Sequence, residues 1–231
     1  MPPDYTRGDI VKKLITLFLT LVMCLPLITV PAYAAGELHF DASDWAQDEL
    51  RKADELELIP DSLRSADLTK PITRAEFAAV AVLVYENLSG TKTTPSDTSA
   101  FTDTQDTDVL KAHNTGLMAG VSGDRFDPDG FLTREQAATA LTRVLKRVFI
   151  PEWTLETDGN FKLNFSDWLC ADDADISDWA KESVYFMFMS RIITGVGDNK
   201  FAPKDTATLE AAIIIGMRLA ERYKDQTLDL L

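Results

Sequence analysis

The sequence predicts an all-α fold made of three copies of one helix–loop–helix unit. Three observations lead there: similar blocks recur along the chain, apolar residues repeat at three and four, and turn residues stand at matching places between them. The first block runs from Phe40-Asp41-Ala42-Ser43-Asp44-Trp45-Ala46 to Pro71-Ile72-Thr73-Arg74-Ala75-Glu76-Phe77-Ala78-Ala79. The second runs from Phe101-Thr102-Asp103 to Phe131-Leu132-Thr133-Arg134-Glu135-Gln136-Ala137-Ala138. The third runs from Phe165-Ser166-Asp167 to Thr206-Ala207-Thr208-Leu209-Glu210-Ala211-Ala212. Between these landmarks the segments 120–128 and 195–203 share a glycine-rich turn, an aromatic (Phe126, Phe201) and a proline (Pro128, Pro203).

Each block reads as helix, loop, helix. In the second helices Phe77, Val80, Ala81, Val84 and Leu88 form one apolar face, as do Ala137, Ala140, Leu141, Val144, Leu145 and Val148. Ala211, Ile214, Ile215 and Leu219 repeat it in the third block. The first helices are expected to begin at Trp45, near Asp106 and at Trp179, and to end where Gly120 or Gly195 supplies a left-handed residue. A tryptophan recurring at a helix start is expected in the core. One such pair is too small to bury its own apolar face, so the three must pack on one another.

With 231 residues, 45% hydrophobic and 26% charged, the chain has the balance of a soluble globular protein. Its start differs: Arg7, Lys12 and Lys13 precede an apolar run from Leu14 to Val30 and then Ala32-Tyr33-Ala34, the layout of a secretory signal peptide over 1–34. The run contains Pro26 and is shorter than the roughly 20 residues a spanning helix needs. Cys24 follows bulky Met23, where a lipoprotein signal would place a small residue, and processing would leave Cys170 alone, without a disulfide. The net charge of −14, one unit more negative after processing, argues against a nucleic-acid partner. The organisation expected is 1–34 signal peptide, 35–88 first repeat, 89–100 linker, 101–148 second repeat and 149–164 linker. A degenerate third repeat over 165–223, with an insertion at 168–175, and a tail at 224–231 complete it.

Thr73 with Glu76, and Thr133 with Gln136, have capping-box spacing, in which the threonine oxygen and the third side chain satisfy free backbone N–H groups reciprocally. Arg74 and Arg134 hold the first helical position, where a cation opposes the helix dipole by about 0.3–1 kcal/mol. Folding alone does not favour arginine there twice. A planar guanidinium beside free helix N–H groups makes a local anion site suited to bidentate contact with a carboxylate. Block three departs from the pattern, with Leu209 for the arginine and Ala211 for the capping acid.

Thr73-Arg74-Ala75-Glu76, Trp45-Ala46, Trp179-Ala180 and the turn from Gly195 to Pro203 resemble S-layer homology modules, over roughly residues 40–223. The resemblance implies a pseudo-threefold arrangement of the three repeats. It also implies grooves between repeats that bind secondary cell-wall polysaccharide, often pyruvylated, without covalent attachment. On that basis Arg74 and Arg134 are the expected anion contacts, with Thr73, Glu76, Thr133 and Gln136 lining the groove and the Leu209 groove doubtful. The expected protein is secreted, non-catalytic and held at the bacterial cell wall, S-layer or cell surface by an anionic glycan. Alternatives are a structural protein using its repeats to contact another surface protein and a wall glycan hydrolase using paired carboxylates.

No cofactor is expected: Gly195-Val196-Gly197 lacks the third glycine of a dinucleotide loop, and no phosphate loop occurs. Nor is a metal, since Asp127-Pro128-Asp129-Gly130 lacks the flanking ligands of a calcium loop and His39 and His113 stand in different repeats. Cys170 sits among Asp172, Asp173 and Asp175, whose charges disfavour a thiolate.

Overall fold

Three threonines start the three long helices with almost the same backbone: Thr73 (φ −82, ψ 165), Thr133 (φ −83, ψ 162) and Thr208 (φ −87, ψ 161). The computed structural model describes residues 38–95, 100–163 and 170–226; the signal segment, Phe165-Ser166-Asp167 and the end of the tail fall outside the described residues. The helices are α2 (Arg74–Ser89), α4 (Arg134–Phe149) and α6 (Leu209–Tyr223). Each threonine Oγ accepts the backbone N–H three residues on, and Glu76 and Gln136 accept the Thr73 and Thr133 N–H groups at 2.8 and 2.9 Å. Both expected capping boxes form; at Thr208 only the threonine half exists, because Ala211 has no acceptor.

The residue before each threonine closes a backbone circuit. Ile72 N–H donates to Ala207 O (2.9 Å), Ala207 N–H to Leu132 O (3.0 Å), and Leu132 N–H to Ile72 O (3.1 Å). All three residues are buried. A ring of three like bonds between equivalent positions defines a pseudo-threefold axis, and among the described residues the fold is all-α around it.

Three short helices, α1 (Gln47–Glu55), α3 (Thr107–Asn114) and α5 (Lys181–Met189), surround the long ones. Each packs on the long helix of the preceding unit: α3 on α2, α5 on α4, and α1 on α6, so the two ends of the described chain close the circle. The partner that buries each short helix is therefore a neighbour's. α2 touches α3, α4 and α6, and it is apolar on nearly every side, with Ala78, Ala79 and Val82 buried beyond the single face its periodicity marks.

The short helices end in one motif. Glu57, Gly116 and Arg191 are left-handed (φ 57, 78 and 55), and the N–H after each returns to Ala53, Ala112 and Met187, a Schellman closure. This corrects the expectation that Gly120 and Gly195 supply the left-handed stop. Those glycines answer to crowding: a Cβ on Gly120 would lie 2.6 Å from Arg125 O, and one on Gly195 2.5 Å from Lys200 O. Gly195→Ala should thus lower stability by about 1–3 kcal/mol, read from denaturant midpoints. Gly159→Ala, where a Cβ meets nothing within 4 Å, should change little.

The stretch at 149–163, whose composition reads as a linker, is fixed to the body. Ile150, Trp153 and Leu163 are buried, and Asp158 accepts from Trp153 Nε1 (2.9 Å) and Lys146 Nζ (2.8 Å). Lys146, 3% exposed, also pairs with Glu182 at 3.0 Å, so one buried ammonium joins the strap, α4 and α5.

Candidate ligand grooves

At the start of α2 the Arg74 side chain crosses into the second unit. Its Nε donates to Phe126 O and its Nη2 to Ala119 O, both at 2.8 Å, while the guanidinium stacks 4.6 Å from the Phe126 ring centre. Arg134 repeats this one unit on: Nε to Phe201 O and Nη2 to Thr194 O at 2.9 Å, stacked 5.1 Å from Phe201. Burial lowers both guanidinium pKa values, opposed by Asp127 and Asp103 at Arg74 and by Asp205 and Asp172 at Arg134. Each arginine thus joins two repeats through backbone carbonyls, a role its position in the sequence does not announce. Arg74 is 8% exposed; Arg134 is less buried and reaches an open groove.

That groove has a volume of about 280 Å³ and is lined by Trp45, Arg134, Thr194, Gly195, Ala211 and Arg218, among others. Trp45 comes from the first unit, Arg134 from the second, and the rest from the third. Trp45 is 58% exposed and Trp179 57%, which corrects the expectation that they are core: they precede α1 and α5 on the outer side, while Ala46 and Ala180 turn inward. Arg218 on α6 pairs with Glu49 on α1, its Nε donating to Oε2 at 2.5 Å.

The threefold relation locates the equivalent positions at the other two junctions. Counting from the cap threonines and the Schellman residues, Trp179, Arg74, Gly120, Gln136 and Arg143 correspond to Trp45, Arg134, Gly195, Ala211 and Arg218. In this second set Arg143 is drawn to Asp158 of the strap, 3.8 Å from Nε. In the third set Thr104, Leu209 and Leu83 take the places of the tryptophan and the two arginines. A 530 Å³ pocket there is lined by Glu57, Asp61, Arg64, Leu83, Lys92 and Lys111, among others, with Lys92 on Glu86 and Lys111 on Asp108.

Of the other candidates, Thr73, Glu76, Thr133 and Gln136 are half-buried and joined to one another in the caps beside the arginines. Sequence reasoning missed Glu135 and Glu210, 3% and 4% exposed. Glu210 accepts the Ser43 N–H and Oγ–H at 2.8 and 2.9 Å, and Glu135 accepts the same pair from Ser177 at 3.0 Å each. The signal was present as a serine two residues before each tryptophan and a glutamate two after Thr133 and Thr208. Among the described residues no group of three or more His, Cys, Asp or Glu could hold a metal ion, and no helix is long and apolar enough to cross a membrane. Burial first, and then the Asp172 carboxylate, push the Cys170 thiol up to about 11.

The chain is similar in sequence to segments of known proteins. The chain is 31% identical over 153 residues to the exoglucanase XynX of Acetivibrio thermocellus, covering 64% of this chain and 13% of that one. It is 31% identical over 156 residues to an amylopullulanase of Thermoanaerobacterium thermosulfurigenes, 63% of this chain and 7% of that one. An endoglucanase of Bacillus sp. (strain KSM-635) is 29% identical over 126 residues, 51% of this chain and 13% of its own. The chain therefore spans at most 13% of the length of these relatives. Residues 96–138 and 172–213 match the S-layer homology domain, and each segment holds a Phe-x-Pro or Phe-Ala-Pro loop, a cap threonine and the start of a long helix. The chain carries S-layer homology domains at these two segments.

Proposed function

We propose that this chain is a non-catalytic module that holds an anionic cell-wall polysaccharide and so keeps its protein on the outer surface of a bacterial envelope. S-layer homology domains anchor proteins to the cell wall, and residues 40–90 act here as a third copy, since Ile72, Thr73 and the Schellman closure at Glu57 repeat the bonds of the matched units. The observation that carries the reading is the groove lined by the exposed Trp45 indole and by Arg134, whose guanidinium is held by carbonyls alone, with Arg218 beside it paired to Glu49. A flat apolar ring packs against the C–H face of a sugar. A guanidinium recognises a carboxylate such as a pyruvyl ketal.

Arg134 is the principal anion contact, and Thr133 with Gln136 holds the helix start that aims it. The equivalent set of Trp179, Arg74 and Arg143, with Thr73 and Glu76 in the corresponding cap, is the second and weaker candidate, because Arg74 is buried and Arg143 is drawn to Asp158. The groove with Leu209 stands outside the function, because neither guanidinium is present. Screening keeps the acidic surface from cancelling this contact, as exposed charges more than about 8 Å apart interact weakly at physiological salt.

Co-sedimentation with purified cell wall tests the reading. The chain should pellet, and Trp45→Ala should weaken retention by about tenfold or more without changing the unfolding midpoint, since Trp45 is mostly exposed. Equal retention of Trp45→Ala and the parent chain removes this groove from the function.

A further inference from the structure

We infer that Asp103 and Asp172 are positioning residues for the two groove arginines, each acting through a single peptide plane. This rests on the reading of the grooves as binding sites, and the same geometry occurs twice in the structure. Asp103 accepts the N–H of Phe126 (2.9 Å) and of Asp127 (2.8 Å), one on each carboxylate oxygen. Asp172 accepts the N–H of Phe201 (2.9 Å) and of Ala202 (2.7 Å) in the same way. Asp127 and Ala202 are left-handed, with φ of 62 and 57.

In a trans peptide the N–H and the C=O point to opposite sides of one rigid plane. The Asp127 N–H and the Phe126 carbonyl belong to one such plane. The carboxylate of Asp103 fixes its N–H end, so the C=O end is held toward Arg74 Nε at 2.8 Å. The Phe201–Ala202 plane does the same between Asp172 and Arg134 Nε, at 2.7 and 2.9 Å. A carboxylate at one end and a guanidinium at the other polarise the peptide in the same sense, so the two bonds strengthen each other. With the Nε–H and one Nη2–H of Arg134 held by Phe201 and Thr194, both Nη1–H groups and the second Nη2–H are left for a ligand anion.

The third junction supplies the contrast. Leu209 replaces the arginine, Ala66 stands at the Phe126 and Phe201 position, and Ala42 stands at the Asp103 and Asp172 position. Aspartate, aromatic and arginine are present together twice and absent together once. An aspartate serving only its own loop would have no reason to disappear with an arginine of another unit.

In the sequence Phe165-Ser166-Asp167 matches Phe101-Thr102-Asp103, but the bonds of Asp103 are made in the third unit by Asp172. Cys170 is buried where Phe101 and Phe40 are, and Ala171 N–H donates to Asn199 O as Thr102 N–H does to Asp124 O.

The test is exchange of the two arginine Nε–H protons with solvent, followed by NMR on the whole chain. In Asp172→Ala the Arg134 Nε–H should exchange at least about tenfold faster while the Arg74 Nε–H keeps its parent rate; Asp103→Ala should give the reverse. Asp172→Asn, which keeps the volume and one acceptor oxygen, should act in the same direction by a smaller factor, and it carries the test if the alanine variant does not fold. Unchanged Arg134 exchange in the Asp172 variants overturns the inference, and so does an equal rise at both arginines, which is what a loss of general stability produces. Failure of the parent chain to bind purified wall polysaccharide would instead strike the functional reading and leave this reciprocal pattern standing.

Discussion

Arg74→Ala is expected to lower the unfolding free energy by about 3–5 kcal/mol, measured by guanidinium chloride unfolding. The change removes two charge-assisted hydrogen bonds, about 1.5–3 kcal/mol each, and the stacking on Phe126. It also leaves Ala119 O and Phe126 O without donors in a site where Arg74 is 8% exposed. Arg134→Ala removes the matching bonds from a more open place, where water can reach the freed carbonyls, so its cost should be smaller. The order matters for function: a binding loss in Arg74→Ala follows from damage to the junction, whereas one in Arg134→Ala with the fold retained reports on the groove.

Removal of residues 39–57 should have a larger effect still, the loss of cooperative unfolding. That segment contains α1, which covers the apolar face of α6, and Ser43, which satisfies the buried carboxylate of Glu210. Without it the face of α6 that packs on α1 and the Glu210 carboxylate lose their cover at the same time. A buried charge stripped of its partners costs about 3–5 kcal/mol, on top of the lost apolar contact. Near-native helix content with a broad, shallow thermal transition is the expected circular-dichroism result; a sharp transition near the parent midpoint would show that the three units do not depend on closing the circle.

The helices, their repeat and the capping boxes were legible because each depends on residues close together: Thr73 with Glu76, Thr133 with Gln136, apolar residues three and four apart. The packing partners were not. That α1 lies on α6 and α3 on α2 depends on contacts between units, and a repeat read one copy at a time pairs each helix with its own neighbour. The same limit hid the role of the arginines, whose acceptors lie 45 to 67 residues away. Tryptophan misled for another reason: Trp45 and Trp179 begin helices beside buried alanines, and position alone does not tell an inward ring from an outward one. Gly120 and Gly195 carried a true signal with the wrong cause, since crowding by Arg125 O and Lys200 O, and not a left-handed backbone, excludes a side chain there.

The decisive property of the groove of Trp45, Arg134 and Arg218 is recognition of a carboxylate on a sugar. Titration calorimetry of the chain with native wall polysaccharide, and with the same polysaccharide after chemical reduction of its carboxyl groups, asks this directly. Binding to the native material that falls by about tenfold or more after reduction, the loss of a charged contact worth about 1.4 kcal/mol or more, is the result expected. Equal affinity for both would contradict it.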